Sequence, residues 1–319
     1  MKTIRRICLI MAIMMVAVMN LSALCEGTGY TIGIIQLVQH EALDAASQGF
    51  MDALTEKLGE ENVTFDYQNA NGETANCATI VNGFVSARVD LIMANATPAL
   101  QAAFNGTETI PVLGTSITDY ATALDLDGFD GTTGFNVSGT SDLAPLDQQA
   151  QLLSELFPDA KTVGLLYCSA EPNSRYQIDV IEPYLQELGY DTVRLTFSDS
   201  NDIASVVTNA VAQADVLYIP TDNTAANNTE VINNIALPAG VPIIAGEAGI
   251  CAGCGVATLS ISYYDLGYVT GEMAYKVLAE GADIAQLAIE YAPNVTRMYN
   301  PAICDELGIQ IPEGYEPIG

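Results

Sequence analysis

The chain has 319 residues, half of them hydrophobic and only 15% charged, which is enough apolar material for a substantial core and rules out an intrinsically disordered polymer. It carries 39 acidic residues against 10 basic ones, for a formal net charge of −29. So acidic a surface repels nucleic acid and anionic lipid headgroups, which excludes binding to either through a basic patch.

The chain opens with a leader. Lys2, Arg5 and Arg6 precede an apolar stretch from Ile7 to Met19, and the small residues Ser22 and Ala23 follow. Basic, apolar and small-residue regions in that order predict a secretory signal over residues 1–24, so the protein is expected to be exported. A membrane anchor fits less well, because the uncharged run ends near Leu24 and no later segment offers ~20 apolar residues. Cys25 follows Leu21-Ser22-Ala23-Leu24, which is similar to a bacterial lipobox except that Leu24 stands where Gly or Ala is usual. Two outcomes stay open. Lipidation of Cys25 would tether the protein to the outer face of the membrane, whereas plain cleavage near Ala23 or Cys25 would release it.

From Thr31 onward the sequence echoes itself. Thr31-Ile32-Gly33-Ile34-Ile35 reads as a buried strand and leads into a helical stretch from Ala42 to Leu58; Thr162-Val163-Gly164-Leu165-Leu166 leads likewise into Ser174 to Leu188. Alternating strands follow at Val63–Tyr67 and Thr192–Phe197, each succeeded by an amphipathic stretch. Next come Asp90-Leu91-Ile92-Met93-Ala94 and Asp215-Val216-Leu217-Tyr218-Ile219. Each passes through a helix to a short strand, Ile110–Gly114 in one half and Val241–Gly246 in the other. Apolar strands alternating with helices predict parallel sheets covered on both faces. Two copies of the pattern predict an α/β protein of two doubly wound lobes.

Ser116 to Asn136 is rich in Asp, Gly and Thr and has no long periodic segment, so it suits a first crossing between lobes. After Gly246 come Val256–Ile261, a helix from Tyr263 to Ala279 and an apolar strand near Leu287–Tyr291. These read as a return to the first lobe before a last crossing to the second. The expected division is 29–118 with 260–290 in one lobe, and 119–259 with 291–319 in the other.

Seven cysteines do not make a disulfide framework in a chain this long. Cys8 leaves with the leader and Cys25 is the candidate for lipid, which leaves Cys77, Cys168, Cys251, Cys254 and Cys304. Cys251 and Cys254 form a CxxC, but zinc would need two more ligands and the sole histidine, His40, is distant in sequence. A local disulfide or free thiols are favoured, and no metal or other cofactor is expected.

In open α/β sheets, ligands bind beyond the carboxyl ends of the strands, where helix N-termini present free N–H groups. Polar residues sit at those turns: Gln39, His40 and Glu41; Thr97, followed by Pro98; Thr115 and Ser116; Ser169, Glu171, Asn173 and Ser174; Asp222 and Asn223; and Glu247. Turns and caps favour Ser, Thr, Asn and Asp in any case, but Glu171 and Glu247 are less easily explained that way. The supply suits a zwitterionic amino acid. Its carboxylate would take hydroxyls and amides at Thr97 or Ser174, and its ammonium would meet Glu171, Asp222 or Glu247. Tyr176, Tyr218 and Tyr263 are candidates to wall an apolar side chain, although tyrosines more often belong to the core.

In order and spacing, several segments resemble the TrpX-type family of ABC-transporter substrate-binding lipoproteins. They are Ile32–Gln36 with His40–Asp44, Ala96–Ala99, Val137–Asp142, Ser169–Ser174, Pro220–Asn223, Gly246-Glu247 and Ala257–Gly267. The resemblance implies a type I periplasmic-binding-protein fold with three interlobe crossings, a cleft that closes on its ligand, and delivery of amino acids, aromatic ones among them, to an ABC permease in the membrane. Gly114–Tyr120 and Cys251–Cys254 depart from the family pattern.

Other functions fit less well. Nucleophilic catalysis recruits a base, and His40 is the only histidine; no Gly-x-Ser-x-Gly elbow or P-loop is present. A regulator with the same core would need a basic DNA-reading head. An exported sensor that presents its closed form to a receptor remains open.

Overall fold

The computed structural model describes residues 29–292 and 294–318. The expected leader, residues 1–24, and Cys25 lie outside the described residues. Strand β1 (Tyr30–Gln36) is buried from Ile32 onward, as a strand covered on both faces must be. Helix α1 (Glu41–Leu58), β2 (Val63–Asn69), α2 (Thr74–Ala87), β3 (Leu91–Asn95), α3 (Thr97–Gly106), β4 (Val112–Ile117), a short α4 (Tyr120–Leu124) and β5 (Val137–Ser141) follow. The chain then crosses over and builds the pattern again. The second run is α5 (Leu146–Leu156), β6 (Thr162–Cys168), α6 (Pro172–Glu187), β7 (Asp191–Phe197), α7 (Ile203–Ala210), β8 (Val216–Ile219), α8 (Asn223–Ala226), α9 (Thr229–Ala236), β9 (Ile243–Ala245), α10 (Ala248–Cys254) and β10 (Ala257–Ile261).

Both sheets have the same order. The first runs β2-β1-β3-β4-β5 and the second β7-β6-β8-β9-β10, all parallel. The echo extends to single hydrogen bonds. Asp90, just before β3, accepts from Thr31 N at 2.7 Å, and Asp215, just before β8, accepts from Thr162 N at 3.0 Å. Each carboxylate pins the start of the neighbouring first strand.

Two more crossings complete the molecule. Helix α11 (Tyr263–Glu280) returns to the first lobe, where β11 (Glu290–Tyr291) pairs with β5; β12 (Val295–Tyr299) then lies antiparallel to β10, and α12 (Pro301–Leu307) and β13 (Glu316–Pro317) finish the second lobe. Helix α11 packs on α1 at backbone distance. A side chain at Gly49 would run into Tyr264 O, and one at Gly267 into Ala46 O. Each sheet has apolar clusters on both faces. Phe84 and Leu100 lie on one side of the first sheet with Phe50, Leu54 and Met273 on the other, and Ile178 and Ile181 oppose Val207 and Ile232 across the second.

The first crossing corrects the expected boundary. Residues 119–141, assigned from sequence to the second lobe, complete the first: α4 packs in its core and β5 pairs with β4. Strand β5 reads Val-Ser-Gly-Thr-Ser yet is fully buried. Burial is tolerable because its hydroxyls are bonded, Ser138 Oγ to Leu287 O at 2.9 Å and Ser141 Oγ to Thr118 O at 3.0 Å. The crossing therefore falls after Ser141.

Candidate functional site

The order 2-1-3 at the start of each sheet puts a topological switch point between β1 and β3 and another between β6 and β8, with crevices beyond their carboxyl ends. The two lobes turn these ends toward each other. Gln177 Nε2 on α6 donates to Thr118 Oγ1 after β4 at 3.4 Å, and His40 Nε2 lies 3.4 Å from Asn223 Oδ1. Between the lobes is a cavity of about 370 Å³ lined by Leu37, Val38 and Pro98 on one side and Ala170, Glu171 and Asn223 on the other. A second, of about 400 Å³, lies between Gln39-His40-Glu41 and Asn227, Gly249 and Ala252. Larger hollows of about 570 and 690 Å³ are built by the first lobe alone, so lobe closure does not shape them.

Helix caps divide the site by charge. Asp222 accepts from Ala225 N at 2.8 Å and caps α8; Glu247 accepts from Gly249 N and Ile250 N, both at 2.6 Å, and caps α10. By contrast, the residues that precede α3 (Ala96) and α6 (Glu171) make no side-chain cap, and each of these helices has a proline in its first turn. Uncapped first-turn N–H groups with a partial positive charge are docks for an anion. The backbone is strained beside this dock: Ala96 has φ 87° and Ser116 φ 56°. Such conformations cost about 1–3 kcal/mol each and collect at functional sites.

Four carboxylates are buried at the cleft: Asp142 (4% exposed), Glu171 (6%), Asp222 (1%) and Glu247 (2%). Burial pushes Asp142 up to about 6, although Tyr263 and Thr118 donate to it, and Glu247 up to about 7, although two backbone amides donate to it. Asp222 is raised by burial and by the neighbouring Glu171. Burial lowers His40, against a hydrogen bond with Asn223. No lysine or arginine among the described residues is buried.

The expected site residues fall into distinct roles. Thr97, Ser116, Asn173, Ser174, Asp222, Asn223 and Glu247 are buried at the facing strand ends. Gln39 and Glu41 are exposed at the rim, with the half-buried His40 between them. Glu171 is no free ammonium partner. Its Oε1 accepts from Thr224 N and Oγ1, and its Oε2 from Asn223 N and Nδ2 and from Asn173 Nδ2, at 2.7–3.1 Å. It holds α8 in place. Thr115 points away from the cleft, bonding Thr140 Oγ1 at 3.2 Å beneath α11, because successive strand side chains alternate between faces. Ser169 Oγ turns back to Phe197 O at 3.2 Å. Tyr218 is a core residue bonded to Gln149 Oε1 at 2.6 Å. Cys251 and Cys254 are free, buried thiols, and no cluster among the described residues has the make-up of a metal site.

Sequence reasoning did not select Thr118, Asp142 or Gln177. Asp142 Oδ1 accepts from Thr118 Oγ1 at 3.2 Å and Oδ2 from Tyr263 OH at 3.0 Å. The available signals were slight. Gln177 stands one helical turn after Asn173, and Asp142 directly follows a strand of hydroxyl residues.

Two α/β lobes with facing strand tips, joined by three crossings and enclosing polar groups, define a solute-binding protein of the hinged, two-lobed class. The family model for ABC transporter substrate binding proteins matches residues 31–315, and the chain belongs to that family. It is 37% identical over 260 residues to a tyrosine-binding protein of Clostridioides difficile (strain R20291), covering 81% of this chain and 75% of that one. Among solved structures it is similar to an ABC domain from Streptococcus pneumoniae in complex with L-Trp (TM-score 0.86, 32% identity, 91% and 100% of the two chains). A ligand-free, open substrate-binding protein with adhesive properties from Clostridium difficile gives a TM-score of 0.70 at 36% identity, over 91% and 99%.

Proposed function

We propose that this chain is the exported solute-binding component of an ABC importer, that it takes an aromatic amino acid between its lobes, and that it presents the closed form to the permease. The observation that carries the ligand class is the pairing of charges at the cleft. The uncapped first turn of α3 suits a carboxylate, and buried Asp222, Glu247 and Asp142, with no buried cation among the described residues, suit an ammonium. The relatives support an aromatic side chain, since one is named for tyrosine and another holds L-Trp. Their scores also support a closed state here. The open relative is the more identical of the two structures yet superposes less well, as a rotation between lobes would produce.

Closure is a population shift in which ligand touching both lobes stabilises the state where both can be touched. Ser116 and Thr97 from the first lobe, and Asn173 and Asp222 from the second, are the contacts assigned. Lipidation of Cys25 would keep the protein at the membrane. Labelling with a radioactive fatty acid, lost in Cys25→Ala, tests that part. The ligand class is tested by a melting screen against the common amino acids. A ligand at a hundred times its Kd adds about 2.7 kcal/mol, and so raises Tm by several degrees. Selective rises with tyrosine, tryptophan or phenylalanine are expected, and a flat screen would overturn the amino-acid reading.

A further inference from the structure

The charges of the cleft carry an inference beyond the amino-acid reading, on which it rests. Asp142, Glu171, Asp222 and Glu247 are each more than nine-tenths buried, and the ion pairs of the described residues all lie elsewhere. Two further buried atoms, one on each lobe at the facing strand ends, lack a hydrogen-bond partner. Asn173 Oδ1, on a side chain 6% exposed, is without a partner, while its Nδ2 is held by Glu171 Oε2 at 3.1 Å and Thr221 O at 3.2 Å. That oxygen only accepts, so it needs a donor. On the opposite lobe Ser116, also 6% exposed, has its Oγ likewise unpartnered. The two ends of an amino acid are therefore not received equally. An ammonium would meet an acceptor whose own amide is held by Glu171. The carboxylate meets neutral donors only, and brings a negative charge into a poorly solvated volume already lined by four carboxyl groups.

We propose that the cleft takes aromatic primary amines, the amino acid without its carboxylate, as a second class of ligand, with the ammonium on Asn173 Oδ1 beside Asp222 and with Ser116 serving the carboxylate alone. Removing the carboxylate forfeits bonds to neutral donors and relieves a repulsion in the same step. Removing the ammonium leaves buried carboxylates uncompensated, which is the more damaging loss.

The test titrates the purified protein with L-tyrosine, tyramine and 3-(4-hydroxyphenyl)propionate, and with the matching tryptophan series, by calorimetry. The amines are expected to bind within about a hundredfold of the amino acids, and the deaminated acids at least about a thousandfold more weakly. Ser116→Ala should weaken the amino acid about tenfold and narrow its lead over the amine, with Tm checked to exclude misfolding. Amines that fail to bind while amino acids do, or acids that bind as well as amines, overturn this inference and leave the amino-acid reading intact. If no member of either series binds, both fall.

Discussion

Tyr263 OH donates to Asp142 Oδ2 at 3.0 Å, and so ties the start of the second crossing to the start of the first. Both side chains are buried, and Asp142 also accepts from Thr118, which in turn meets Gln177 across the cleft. The pair stands at the hinge with a line of contact into the site.

Tyr263→Phe should therefore cost about 1–3 kcal/mol, the penalty for leaving a buried polar group short of a partner. Because the bond favours the ionised form of Asp142, its loss should raise that group further. The deficit in urea unfolding should then be larger at pH 7.5 than at pH 5. An equal deficit at both would mean that Asp142 does not titrate between them.

Glu171→Gln separates a positioning role from direct contact. The carboxylate accepts all five of its hydrogen bonds from groups on α8 and Asn173, and an amide cannot accept on both sides. A loss of about 2–3 kcal/mol in stability is expected, since bonds to a charged group are the stronger kind. Ligand affinity should fall with it through a displaced Asn173 and Asn223. Weakened binding at unchanged Tm would instead place Glu171 against the ligand.

The doubled α/β architecture was legible because buried parallel strands are written as apolar runs, and both halves carry them. What the sequence hid were polar groups whose partners lie far along the chain. Strand β5 carries no apolar run to mark it in sequence, because Ser138, Thr140 and Ser141 are polar, and only Leu287, Thr270 and Thr118, brought alongside by the fold, make their burial acceptable. Glu171 stands out in sequence as a residue that turn preference explains poorly. Its purpose was not readable, because α8 begins some fifty residues later. Thr115 and Ser116 look equivalent in sequence. Strand alternation, with the irregular register between Gly114 and Ile117, sends one under α11 and leaves the other unpartnered at the cleft.

Two glycines in helices make opposite predictions. Gly267→Ala drives a methyl into Ala46 O where α11 meets α1, and should destabilise the first lobe by about 1–3 kcal/mol through overpacking. Gly83 lies within α2 with nothing within 4 Å of an added Cβ, so Gly83→Ala should stabilise by about 0.4–1 kcal/mol through helix propensity and reduced unfolded-state freedom. Thermal unfolding of both variants checks the sign of each.

The pH dependence of binding follows from the buried acids. In the unfolded chain carboxylates titrate near 4, whereas in the folded protein Asp142 is raised to about 6, Glu247 to about 7, and Asp222 is raised with them. The folded state thus holds these protons more tightly. Their contribution to ligand-free stability is fully present below about pH 4 and is lost as pH climbs through about 6 and 7. His40, lowered by burial, works in the opposite sense and costs stability as pH falls below about 6.5. An ammonium requires ionised partners, so ligand reverses the carboxylate trend. Affinity should rise about tenfold between pH 5.5 and 7.5, with protons released on binding. Calorimetry at pH 7 in two buffers of different ionisation enthalpy measures that release directly. A Kd that is flat across the range, with no proton exchanged, would mean that the ammonium is held without help from Asp142, Asp222 or Glu247.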